Sequence, residues 1–203
     1  MTLTKSTTKK QNARHVIARL ASHGQGIFTT ADLRQILPAQ SEGQFRTEIS
    51  RLIEEGILER ARRSLYVNRR SGCGREGFIL EEMAVVIRRG FVNYLSLESV
   101  LSEYGAISQI MLDRITVMTT GPRGEFRTQW GVIEFTHTAR DPETIRPILL
   151  YDDRRSLPLV RPPVALRDLR RVGRNVDMVD MEEYYDILEE YGFADDPAAI
   201  PWN

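Results

Sequence analysis

Apolar residues recur at helical spacing through the first third of the chain, then give way to strand-like alternation. Val16, Ile17 and Leu20 mark a helix over 12–22 that His23-Gly24 closes, glycine being the low-cost left-handed cap. Ile27-Phe28-Thr29 reads as a short extended piece, and Thr30 as the N-cap of a helix over 31–37 that Pro38 stops. Ser41-Glu42-Gly43-Gln44 has the spacing of a capping box. The helix it opens runs to Glu55, with Phe45, Ile49, Leu52 and Ile53 on one side. Beyond Gly56, residues 57–60 and 65–67 alternate as two strands about a turn at 61–64.

Helices followed by a hairpin, in this order and at these lengths, predict a winged helix-turn-helix over 1–70. On the helix ending at Glu55 the apolar side leaves Gly43, Gln44, Thr47, Ser50 and Arg51 pointing outward, with Arg46 on the flank. Small hydrogen-bonding residues at an exposed helix start suit a major groove, where base edges are read at close range. Any exposed helix face is polar, so a solvated surface is the plain alternative. Double-stranded DNA is favoured because the hairpin tip carries Arg62 and Arg63, residues that grip phosphate and add affinity more than sequence choice. Glu54, Glu55 and Glu59 confine the positive charge to the helix start and the wing.

From residue 78 the pattern changes. Ile79, Met83, Val86 and Ile87 mark a helix over 78–89 ended by Gly90, and Ser96 is placed as cap of a helix over 97–104 closed by Gly105. Residues 114–119, 125–128 and 130–138 are β-branched and punctuated by Gly121-Pro122-Arg123-Gly124, which predicts an antiparallel sheet segment. Connections rich in proline (Pro147, Pro158, Pro162, Pro163) lead to helices over 164–172 and 177–191. The fold class is α+β: a winged helix-turn-helix over 1–70, a Gly-rich linker at 71–75, and a mixed α/β domain over 76–203.

Net charge is zero, but residues 1–70 hold 13 Lys or Arg against 6 acids, and the remainder 15 Arg against 22 acids. The basic half suits a polyphosphate; the acidic half suits a protein partner or solubility. The polar start, 1–12, is neither signal peptide nor anchor, and is read as a frayed tail whose Lys5, Lys9 and Lys10 reach phosphates at most. With no apolar run of membrane length and a single cysteine, the expectation is a cytoplasmic protein without a membrane partner.

Catalytic vocabulary is thin. Every lysine lies at or before Lys10, so the second domain has no lysine for a phosphate loop. His137, on a strand face with Ile133 and Phe135, reads as a hydrogen-bonded structural residue; Asp152-Asp153 beside Arg154-Arg155 reads as a solvated loop; Cys73 has no activating neighbour. The expectation is a protein that is not an enzyme and needs neither cofactor nor metal, a carboxylate-based nuclease being the weaker alternative. In the last helix Val179, Tyr184, Ile187, Leu188 and Tyr191 oppose an acidic side of Asp180, Glu182, Glu183, Glu189 and Glu190, which is solvent-facing or a dock for a basic protein.

The run from Tyr94 to Gly105 (YLSLESVLSEYG), with Thr119-Thr120-Gly121 and Trp130 to Thr138 (WGVIEFTHT), resembles the AbiEi family, antitoxins of type IV toxin-antitoxin and abortive-infection systems that act in phage defence. The resemblance implies an amino-terminal winged helix that represses the operon's own promoter, and a carboxyl-terminal domain that counters a nucleotidyltransferase-like toxin. The alternative from the residues alone is a winged-helix regulator whose second domain senses a ligand or dimerises. Under either reading the candidate DNA-binding residues are Gln44, Arg46, Thr47, Ser50, Arg51, Arg62 and Arg63.

Overall fold

The computed structural model describes residues 3–37, 39, 41–72, 77–107 and 113–197, with side chains placed from Ala13 onward apart from that of Arg69. Pro38, Cys73 and the side chains of Lys5, Lys9 and Lys10 lie outside the described set. Contacts divide the chain into two units, Met1–Ile87 with Thr128–Trp130, and Arg88–Arg127 with Gly131–Asn203.

The first unit opens with α1 (Leu3–Ser22), which starts well before the apolar positions that betray it. Its opening turns contain no glycine or proline, and a helix without an apolar face gives no periodic signal. Next come β1 (Ile27–Thr29), α2 (Thr30–Ile36) and α3 (Glu42–Glu54). The cap of α2 is Thr29, one residue earlier than the sequence reading placed it. Thr29 Oγ1 accepts the Asp32 amide at 3.1 Å while the Asp32 carboxylate accepts the Thr29 amide at 2.8 Å, a capping box that uses Asp at its far end. Ser41 caps α3 as expected, accepting the Gln44 amide at 3.2 Å.

Strands β2 (Glu59–Arg62) and β3 (Leu65–Val67) form the hairpin, and the antiparallel sheet runs β1-β3-β2. Ile17, Phe28, Leu33, Phe45, Ile49, Leu52, Leu58 and Tyr66 make one buried cluster that seats α3 on the other helices and the sheet. Each such side chain contributes about 1.5–3 kcal/mol by leaving water. Helix α4 (Ile79–Ile87) lies against β1 and belongs to this unit by its contacts.

The second unit is built on a six-stranded mixed sheet. Its strands are β4 (Asn93–Leu95), β5 (Arg114–Thr119), β6 (Gly124–Thr128), β7 (Gly131–His137), β8 (Leu149–Leu150) and β9 (Leu159–Val160), ordered β6-β7-β5-β4-β9-β8. Antiparallel pairing holds for β4 with β5 and for β8 with β9, but β5 and β7 run parallel, Val117 opposite Phe135. The chain leaves β5, lays β6 at the sheet edge and returns between them, so neighbouring strands in the sheet are not neighbours in sequence. Helices α5 (Glu98–Glu103), α6 (Pro142–Ile145), α7 (Pro162–Arg171) and α8 (Met181–Glu190) complete the unit, with α5 packed on α7.

Ser96 does not cap α5. It is fully buried and its hydroxyl donates to Asp168 Oδ2 at 2.9 Å, while Leu97 takes the cap position at φ 59°. The cap arrives from β5: Thr116 Oγ1 accepts the Ser99 amide at 3.0 Å and Ser99 Oγ accepts the Thr116 amide at 2.7 Å. A Cβ at Gly121 would meet the Phe91 ring at 2.8 Å, so any other residue there would have to push that half-exposed ring aside.

Candidate nucleic-acid interface

Burial of Phe45, Ile49 and Leu52 fixes which way α3 faces. Gln44, Arg46, Thr47 and Ser50 are exposed and Arg51 is half-exposed, so the structure brings the five α3 candidates together on the surface of one helix. The Thr47 hydroxyl donates back to the Gly43 carbonyl at 2.9 Å, which leaves its oxygen lone pairs and methyl outward.

Both α3 arginines are held by carboxylates one turn away. Arg46 Nε donates to Glu42 at 3.1 Å and Arg51 Nε to Glu55 at 2.9 Å. Each carboxylate takes a second arginine from another helix: Glu42 from Arg34 of α2, Glu55 from Arg14 of α1 through a 2.8 Å bond. The Arg34 and Arg14 hydrogen bonds are the main reason the Glu42 and Glu55 carboxyls stay below the usual carboxylate range. Arg34 also stacks 4.2 Å over the Phe45 ring. Sequence reasoning did not single out Arg34 or Arg14; the partners are non-local, and only their charge hinted at them.

The wing differs in detail from expectation. A bulge at Ala61 sets Arg62 opposite Leu65, so Arg62 is half-buried with one guanidinium nitrogen inside. Arg63 stands exposed at the tip beside Ser64, whose φ is 70°. Arg60, also exposed, lies 5.6 Å over the Tyr66 ring. The exposed wing cations are therefore Arg60 and Arg63, and Arg60 follows from strand alternation once the register is known.

Residues 15–69 match the family model described as a transcriptional regulator, AbiEi antitoxin. Over that stretch the chain is similar to AbiEi antitoxin regulators. The AbiEi segment spans α2, α3 and the wing, and so contains all seven candidate contacts and the Arg34 and Glu55 that organise them. Across 90% of this chain the fold is like 71% of the RV2827C protein from Mycobacterium tuberculosis, with a TM-score of 0.51 at 13% identity, a likeness that speaks to fold alone. A comparison with curated proteins gives no match.

Outside the AbiEi segment the other candidates have structural partners. The His137 ring lies 2.9 Å from the Gly121 carbonyl oxygen. Asp152 accepts two bonds from the Arg154 side chain, which hold its carboxyl down at about 2. Among the described residues no group of three His, Cys, Asp or Glu could hold a metal, and no helix is long and apolar enough to cross a membrane.

Proposed function

We propose that the chain is a cytoplasmic type IV antitoxin that represses its own operon through the first unit and counters a nucleotidyltransferase-like toxin through the second. The coincidence of the AbiEi match with an α3 surface bearing Gln44, Thr47, Ser50 and Arg51 carries the reading. In it, Gln44, Thr47, Ser50 and Arg51 read base edges, and Arg46, Arg63 and the exposed Arg60 lie along the backbone, with the half-buried Arg62 at the base of the wing. The test is binding to duplex DNA from upstream of the gene and to random duplex, each over a range of salt. Thr47→Ala or Arg51→Ala should cost the upstream site roughly 10-fold or more while sparing random duplex, because one base-edge contact sets about 1–3 kcal/mol of discrimination. Arg63→Ala should weaken both duplexes alike and flatten the salt slope by about 0.9. Unchanged binding in all three variants would end the DNA assignment.

A second reading, a regulator whose second unit senses a small molecule, is favoured by a cavity of about 850 Å³ in that unit, with Leu95, Ile107, Ile115 and Met178 among its walls. Its charged walls Arg114, Arg155, Glu98 and Glu103 are ion-paired already, while Asp177 enters no ion pair among the described residues, so an uncharged or cationic ligand fits it best. Rescue of growth when residues 71–203 are co-expressed with an adjacent nucleotidyltransferase-like gene favours the antitoxin; the absence of such a gene favours the sensor.

A further inference from the structure

In the acidic half of the chain three arginines converge on one hollow. Arg140, Arg167 and Arg171, with Thr144 and Ile148, line a depression of about 370 Å³ beside α7. Arg140 is committed: it pairs with the fully buried Asp168 and donates to Tyr94 Oη at 3.2 Å. The other two are not. Arg167 Nε is buried without a hydrogen-bond partner, and among the described residues neither Arg167 nor Arg171 enters an ion pair. Among the described residues Asp168 is the one carboxylate that enters an ion pair with any of the three guanidiniums.

The fold alone does not account for this. Basic residues in a last helical turn complement the helix dipole, which covers Arg170 and Arg171. It does not cover Arg167, whose Nε is shut away from water, nor the like-charge pair that Arg167 and Arg171 form four residues apart on one helix. A guanidinium with no acceptor in the protein can turn its N–H groups to an acceptor that a ligand supplies.

We propose that this hollow binds the phosphoryl group of a small phosphorylated molecule, such as a nucleotide or free phosphate. Guanidinium forks match the oxygens of a phosphoryl group two at a time, and Arg167 and Arg171 supply donors the protein leaves unused. Arg140, pinned by Asp168 and Tyr94, adds fixed positive charge. Ile148 gives an apolar wall on which a sugar or base can rest. The site is independent of the winged helix and holds whether or not the first unit binds DNA.

The full-length protein titrated calorimetrically at low salt with inorganic phosphate, with ATP and with random duplex DNA tests the site. Saturable binding of phosphate and ATP alike identifies a phosphoryl site, and tighter binding of ATP identifies a nucleotide. Arg171 is exposed, so Arg171→Gln should leave the unfolding midpoint in place and weaken small-anion binding by about tenfold or more. Arg167→Gln is the second variant, with the same expectation and its own unfolding control. The proposal is overturned by an absence of saturable binding, or by affinities that both folded variants keep. It is also overturned if only duplex binding falls in Arg171→Gln, which would make these arginines part of a nucleic-acid surface.

Discussion

Arginine carries most of the positive charge in both units, yet does different work in each. On α3 the pairs of Arg46 with Glu42 and Arg51 with Glu55 are one turn apart and lie at the surface, where water and salt compete with them. In the second unit the pairs join distant segments: Arg140 reaches Asp168 on α7, and Arg174 grips Glu98 of α5, Glu134 and Thr136 of β7. Asp168 has no exposed side-chain surface at all. Pairs of the first kind exchange readily for a phosphate; pairs of the second kind hold helices to the sheet.

The strongest test of that contrast is Asp168→Ala. Removing the carboxylate leaves Arg140 facing a buried void and orphans the Ser96 hydroxyl, so the second unit should lose about 3–5 kcal/mol. Urea unfolding of the full chain should then show two steps, with the first unit keeping its midpoint and its DNA affinity. Loss of less than about 1 kcal/mol would mean that the buried pair is not what ties α7 to the sheet. Next in size is Arg174→Ala, which removes charged hydrogen bonds to Glu98 and Glu134 in a half-buried setting and should cost about 1.5–3 kcal/mol. A double-mutant cycle with Glu98→Gln separates the pair from lost packing; additivity of the two would show that they do not interact.

The same division explains what could be read from the sequence. The outward residues of α3 follow from the spacing of Phe45, Ile49 and Leu52, and the Ser41 cap follows from its neighbour Gln44; both are decided within a few residues of chain. The cap of α2 falls one residue earlier than expected because Thr29 and Thr30 are both good caps, and Asp32 decides between them. In the second unit the deciding contacts are distant. Nothing local distinguishes a Ser96 that caps α5 from one that bonds Asp168, and the parallel pairing of β5 with β7 depends on where β6 goes. The roles of Arg34 and Arg14 are hidden in the sequence for the same reason: their carboxylate partners sit on another helix or at its end. The inward turn of Arg62 comes from a bulge, which alternation cannot foresee.

The smallest expected effect lies on α3, and it has the opposite character to Asp168→Ala. Glu42 and Glu55 have folded pKa values below their unfolded ones, so what they add to stability is present above the unfolded carboxylate range and is lost as pH falls through the folded values. At neutral pH both are ionised and both clamps are closed. Glu42→Gln opens one of them, freeing Arg34 and Arg46 without touching the core. The unfolding midpoint at neutral pH should fall only slightly, because the ion pairs that Glu42 makes lie at the surface. Random-duplex affinity should instead rise a few-fold, roughly, and the salt slope should steepen by up to about 0.9 for each arginine that gains a phosphate. The gain should exceed any gain at the upstream site, where α3 is already seated, so the discrimination between the two duplexes should narrow. A slope that does not move would show that these arginines never meet the backbone, and that Glu42 serves only to join α2 to α3.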